Sequence, residues 1–349
     1  MKKYILVTIL LLLVGCASAP QPKQQKELNV YNWEDYLAPE TISQFEKEFD
    51  VKVNLYTFEE ENYMLSDVQT NPGKYDIVIA SNLLIMEMIA QHLLADINHS
   101  NIPNFKNIGR DFRALGYDPQ NTYSVPYLWG TTGIAFNTKY IPADTDSWNV
   151  LFEKKYSGKI SMLNSKEEVI IAALIRDGHP LHGHDVGSMD RAHLEKITSI
   201  LVEQKPLLRG YEDPITIRDS MIAEELWAAQ MYSGDALFAQ SENENIQYMI
   251  PKEGATIWVD NLAVPRDAQN KEMAESFINF VLRPDIGAEI ANYVQYATPN
   301  TAAKEFVDQE LLNNPSLYPS EEVLETLAPL EVPDDLVNDY NRIWAEVQR

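Results

Sequence analysis

Short apolar runs of strand length alternate along this chain with amphipathic stretches of helix length, and that order restricts the fold more than any other feature. Residues 28–32 read as a strand, 39–49 as a helix with proline in its first turn, and 51–58 as a strand of alternating polarity. Residues 75–80 read as a buried strand and 82–94 as a helix. Strand and helix in that succession imply a parallel sheet with right-handed crossovers. Ligands of such sheets sit beyond the carboxyl ends of the strands, where residues 32–36 and 81–82 fall. A second set follows: strand 159–163, helices 167–176, 193–203 and 219–231, strands 236–238 and 256–259, then helices 272–282 and 285–293 with Pro284 in the break. The expected fold class is α/β with two lobes, each a mostly parallel sheet flanked by helices. Residues 27–134 with 261–303 would make one lobe and 135–260 with 304–349 the other, joined by extended crossings at 131–137 and 258–264 around a cleft.

The first residues predict where the chain works. Lys2 and Lys3 precede an apolar run over 4–14 that is too short to span a bilayer, so residues 1–15 read as a secretory signal. Cys16, the only cysteine, follows directly and resembles the lipobox of bacterial lipoproteins, which implies acylation of that residue. An ordinary signal with a stray thiol is the weaker reading, because no second cysteine exists for a disulfide. Residues 16–26 are polar, contain two prolines and carry no apolar period, as a flexible tether should. The expected location is the periplasm or cell surface, with lipid as the one attachment to a membrane.

Charge narrows the partners. The chain carries 28 Lys and Arg against 52 Asp and Glu, a net -24, and loss of Lys2 and Lys3 with the signal moves this to -26. Such a balance repels nucleic acid and anionic lipid and concentrates cations, although solubility alone accounts for it equally well. No nucleophile elbow, phosphate loop or H-E-x-x-H motif occurs, so no enzyme activity and no cofactor are expected. The loop from His179 through His182 and His184 to Asp185 contains groups able to ligate zinc or nickel, but its spacing matches no tight signature and no metal is expected.

Three segments set rings beside carboxylates: Trp33-Glu34-Asp35-Tyr36, Tyr232-Ser233-Gly234-Asp235 and Trp258-Val259-Asp260. Brought together, they would form a box with apolar walls and anionic ends, suited to a small elongated polycation. Each ring adds about 0.5–2 kcal/mol of cation–π attraction, and each buried methylene about 0.8 kcal/mol. A diamine paired at both ends would reach micromolar affinity, about -8 kcal/mol. Taken singly, the same residues have plainer readings: Trp258 as core, Asp35 and Asp235 as caps, Glu168 as a solvated acid. A secreted carbohydrate-binding protein or glycoside-active enzyme would also use such rings and acids.

YNWEDYLAPETISQFEKE, YDIVIAS, YSVPYLWGTTGIAFN, IWVDNLAVP and INFVLRPDIGAEIANYVQYATPN, in that order, resemble the periplasmic spermidine/putrescine-binding proteins of polyamine ABC importers. The likeness covers residues 28–318 and implies a type II solute-binding fold that closes on a polyamine and presents it to a membrane permease. It implies that Trp33 and Tyr36 are ring walls, Asp35 an amine partner and Glu34 its neighbour, and that Glu168 receives an amine from the second lobe. Tyr232 stands where the family usually has tryptophan, and Asp235 matches an acid of putrescine-preferring members. Trp258 and Asp260 resemble the central ring and carboxylate, Tyr296 an aromatic near the hinge, and Ser81 and Asn82 hydrogen-bonding groups. Trp129 reads as hinge packing. Leu83 replaces a common aromatic, Ser165 a second acid, and Leu330 has no matching polar contact. These departures favour putrescine, or mixed diamine and triamine recognition including spermidine, by a monomeric receptor. Signalling in place of transport would use the same pocket.

Overall fold

The computed structural model describes residues 26–59, 61–179, 191–333 and 335–349. The signal and Cys16, the tether up to residue 25, and His182, His184 and Asp185 lie outside them. Ten strands carry the architecture: β1 Lys26–Trp33, β2 Val51–Phe58, β3 Ile77–Ser81, β4 Ser124–Asn137, β5 Ile160–Leu163, β6 Leu208–Glu212, β7 Ala228–Tyr232, β8 Ile246–Met249, β9 Ala255–Ala263 and β10 Leu327–Pro329. The helices that bear on the site are α1 Pro39–Phe49, α2 Glu61–Thr70, α3 Asn82–Ala90, α4 Lys166–Arg176, α5 Arg191–Gln204, α6 Pro214–Ile222, α7 Ser233–Glu242, α8 Lys271–Val281 and α9 Pro284–Val294. Among the described residues no helix is long and apolar enough to cross a membrane.

The strands run in the order β2-β1-β3-β9-β4-β7-β5-β6, with β10 on β9 and β8 on β4. In the first half β1 pairs in parallel with β2 and β3. In the second, β5 pairs in parallel with β6 and β7. Between them β4 and β9 run antiparallel and belong to both halves: β9 leans on β3 through Asp260–Ala263, and β4 leans on β7 through Thr132–Phe136. Each half thus places a long strand, running in the opposite direction, beside its third parallel strand. The carboxyl ends of β1, β3, β5 and β7 each lead into a helix, α1, α3, α4 and α7, the turns at which ligands of such sheets commonly bind.

Local chemistry fixes several bounds as the sequence predicts. Pro39 opens α1, and Asp50 closes it in the left-handed region at φ 51, donating its N–H to the Glu46 carbonyl, with β2 beginning at the next residue. Thr41 and Phe45 are the buried positions of α1, and Phe45 packs edge-on against Phe277 of α8 at 4.9 Å. Ser165 caps α4 by accepting from the Glu168 N–H, and α4 is buried along almost its whole length.

Three expectations fail. Residues 219–231 are not one helix: α6 starts at Pro214, capped by the Asp213 side chain on the Thr216 N–H, and stops at Ile222. Glu224 then turns at φ 60 and β7 begins at Ala228. A strand buried on both faces between β4 and β5 has no alternation to betray it, so its apolar run reads as helix. Residues 236–238 are not a strand but the middle of α7, where Ala236, Leu237 and Ala239 turn to the core. Helix α3 ends at Ala90 rather than residue 94, because His92 adopts φ 56 and breaks the period. Helix α2, which begins at Glu61, was not anticipated.

Candidate functional site

Five rings form a continuous run between the halves. Tyr127 meets Tyr36 at 5.8 Å, Tyr36 meets Tyr296 at 5.6 Å, Tyr296 meets Trp258 at 5.3 Å, and Trp258 meets Tyr232 at 5.6 Å, all edge to face. Glycines make the close approach possible. Gly130 stands opposite Trp258 across β4 and β9, where a Cβ would lie 2.5 Å from the indole. At Gly234, in the first turn of α7, a Cβ would lie 2.5 Å from the Tyr296 ring.

The acids enter this run from four elements. Asp260 of β9 is 6% exposed and accepts one hydrogen bond among the described residues, from the Tyr36 hydroxyl at 2.7 Å. Glu168 of α4 is 1% exposed and accepts from the hydroxyls of Thr132 and Thr256, both at 2.7 Å. Those threonines face each other across β4 and β9, so one cross-strand pair holds both oxygens. Asp235 of α7 accepts from Tyr296 at 3.1 Å and lies 3.7 Å from the Arg218 guanidinium. Glu61, the half-buried first residue of α2, accepts from the Ser81 N–H at 2.9 Å, and Ser81 pairs with Asp260 in the β3/β9 register.

Desolvation raises every one of these carboxyl groups. Asp260, Glu168 and Glu61 are each pushed up to about 7, Asp260 further by the charge of Glu61. Asp235 rises less, because Arg218 and Tyr296 oppose the effect. The Tyr232 hydroxyl is raised by burial and then by Glu168, Glu61, Asp235 and Asp260. Arg218 is the one cation within salt-bridge range of any of the four among the described residues. A buried anionic site without matching cations rejects anions and binds a cation that brings its own charge.

A family model for bacterial extracellular solute-binding proteins matches residues 40–318. The chain belongs to this family. The putrescine-binding periplasmic protein SpuD of Pseudomonas aeruginosa is 31% identical, over 100% of this chain and 99% of its own. Among solved structures, the spermidine/putrescine ABC transporter substrate-binding protein PotD of Streptococcus pneumoniae has TM-score 0.82 at 30% identity, covering 93% of this chain and 98% of its own. The TpPotD lipoprotein of Treponema pallidum has TM-score 0.80 at 27% identity, covering 92% and 99%. The fold is therefore the two-lobed one of periplasmic binding proteins, and the role is that of a substrate-binding protein.

Within this solute-binding protein the anticipated residues separate. Tyr36, Glu168, Tyr232, Asp235, Trp258, Asp260 and Tyr296 converge. Trp33 is half-buried, 4.4 Å from Phe58, and its indole N–H has no hydrogen-bond partner among the described residues, as is true of Trp258. Glu34 and Asp35 are exposed, and Asp35 holds the left-handed turn at φ 54 between β1 and α1. Ser81 caps α3 by accepting from the Leu84 N–H. The Asn82 amide is occupied by backbone, donating to the Leu330 carbonyl at 2.7 Å and accepting from the Val259 N–H at 3.4 Å. Trp129 packs apart from the ring run, with Val259 and Ala297. No group of three His, Cys, Asp or Glu among the described residues is placed to hold a metal ion. Sequence reasoning missed Glu61. The signal existed, since Phe58-Glu59-Glu60-Glu61 repeats the pairing of ring and acid found in the other clusters.

Proposed function

We propose that this protein is the lipid-anchored receptor of an ABC importer, capturing polyamines such as putrescine and spermidine in the ring-lined acidic ground between its lobes and delivering them to a membrane permease. The observation that carries the reading is the placing of Asp260, Asp235 and Glu168 along one run of rings, Asp260 on Tyr36, Asp235 on Tyr296 and Glu168 on Thr132 opposite Tyr232, with Arg218 as the one cation in salt-bridge range among the described residues. Ammonium groups would replace the missing countercharge, and the rings of Tyr36, Trp258, Tyr296 and Tyr232 would grip the methylenes between them. Trp33 would close the wall on the first lobe. The two relatives named for putrescine and for spermidine/putrescine support the ligand class, and the treponemal lipoprotein supports acylation at Cys16.

The mechanism needs no bond-breaking. Residues 27–134 with 261–303 form one lobe and 135–260 with 304–349 the other, and bending of β4 and β9 brings Tyr36 and Glu61 of the first lobe and Glu168 of the second onto one ligand. Binding stabilises the closed form by its differential affinity for that form, and the permease engages it as a monomer. Titration calorimetry on a chain starting near Glu27, with putrescine, spermidine, cadaverine and an uncharged diol of matched length, tests the reading. Saturable binding of amines and none of the diol is expected. Silence toward every amine by folded, ligand-free protein would sink it.

A further inference from the structure

Of the three acids set along the ring run, one carries a resident countercharge. Glu168 is met by two threonine hydroxyls and Asp260 by a phenol, whereas Asp235 of α7 faces the Arg218 guanidinium of α6 at 3.7 Å. The two side chains are only 17% and 19% exposed, so solvent screens this pair little. Arg218 is steadied from outside the run. Its guanidinium lies 4.7 Å above the Phe238 ring, one turn along α7 from Asp235, and its Nε donates to the exposed Asp219 at 3.3 Å. Asp235 in turn accepts from the Tyr296 hydroxyl at 3.1 Å, and Tyr296 is the third of the five rings. Asp235 therefore stands against the middle of the run. Asp260, on Tyr36, and Glu168, on Thr132 opposite Tyr232, stand toward its ends.

We infer that Arg218 is a specificity-determining residue: as a resident counter-ion it cancels the charge of Asp235, so that the middle of the site accepts a methylene as readily as an amine. This rests on the polyamine reading above. A carboxylate already paired gains little from a second cation, and a cation brought beside Arg218 is repelled by it. Without Arg218 the same carboxylate would be buried and uncompensated, a costly state that an inner charge on the ligand would relieve. Arg218 thus takes Asp235 out of ligand pairing and leaves it to hold Tyr296. The ligand class that fits the native site is a chain charged at its two ends, with no reward for a charge between them.

The probe pair is spermidine and 1,8-diaminooctane, which has the same length with a methylene in place of the secondary amine. Calorimetry near neutral pH on the full chain in detergent should show wild-type protein binding the two within about threefold of each other, or 0.6 kcal/mol. Arg218→Met keeps an unbranched stem against Phe238 and removes the charge, and it should favour spermidine by at least about tenfold, or 1.4 kcal/mol. An unchanged ratio in Arg218→Met overturns the inference, because a mere tie between α6 and α7 would lower the melting temperature and leave the ratio alone. Should Arg218→Met fail to fold, the neutral pair Arg218→Met with Asp235→Asn decides. It should keep the wild-type ratio, and a tenfold loss of spermidine affinity relative to the diamine would show that Asp235 itself pairs with the ligand, which also overturns the inference. All of these outcomes leave the polyamine reading standing, whereas silence of wild-type protein toward both amines removes that reading itself.

Discussion

The two halves of this protein support their buried acids in different ways. In the second half, Glu168 and Asp235 arrive already supported, the first by two threonine hydroxyls and the second by Arg218 and Tyr296. In the first half and on the shared strand β9, support is thin: Asp260 has the Tyr36 hydroxyl, and Glu61 the Ser81 backbone. On the proposed reading, the second half would hold a preformed anchor, and the first half a sensor whose charge is settled when a cation arrives. Such an asymmetry suits a receptor that must first catch a ligand and then close on it.

Removing both poles sharpens this contrast most. The pair Asp260→Asn with Glu168→Gln should weaken amine binding at least about a hundredfold, roughly 2.8 kcal/mol, measured by calorimetry. Singly, each should cost about tenfold, and stability should separate them. Glu168→Gln disturbs two charged hydrogen bonds, so ligand-free protein should lose roughly 2 kcal/mol, seen as a melting temperature lower by about 3 °C. Asp260→Asn removes a carboxylate with one hydrogen bond and should leave that temperature unchanged or slightly higher. Equal losses would erase the distinction between anchor and sensor.

Gly234→Ala probes how tightly the second half holds its ring. The added methyl would press on Tyr296, and overpacking of this kind costs about 1–3 kcal/mol, so both melting temperature and amine affinity should fall. Unchanged values would mean that the ring moves freely.

A smaller effect should follow pH. The carboxyls of Asp260 and Glu168 rise from ordinary values of 3.8 and 4.5 to about 7 in the folded ligand-free state. The folded chain therefore binds protons more tightly than the unfolded one. The stabilisation they give is complete below about pH 4 and lost as pH rises through about 7. Melting temperature of ligand-free protein should fall across that window, less steeply in Asp260→Asn, while amine affinity should rise as the acids ionise. A parallel rise of both would contradict desolvation as the cause. The least effect is expected at the exposed turn: Glu34→Gln and Asp35→Asn should change affinity by less than about threefold, or 0.6 kcal/mol. A tenfold loss at Asp35 would instead make that turn a third pole.

Much of this was legible in one dimension. The bounds of α1 and β2 follow from Pro39, Asp50 and the alternation after Val51, all signals acting within a few residues. The ring and acid clusters at Trp33 and Tyr232 stand at the ends of β1 and β7, where the order of strands and helices predicts them, whereas Trp258 lies in the middle of β9. What failed was whatever depended on surroundings. Residues 228–232 form a strand because β4 and β5 flank them, and a doubly buried strand carries the same apolar run as a buried helix. Asp35 and Asp260 each sit two residues after a tryptophan, yet one lies exposed in a turn and the other is 6% exposed.

By itself, then, the sequence determined which chemistry the protein could bring to bear, because rings, acids, caps and strand periods are local properties of the chain. The tertiary structure alone decided which of those groups share one desolvated space. Residues 61, 168, 235 and 260 meet only through the pairing of β3 with β9 and of β4 with β7. A carboxylate changes character when neighbours remove its water, and no spacing along the chain records that removal.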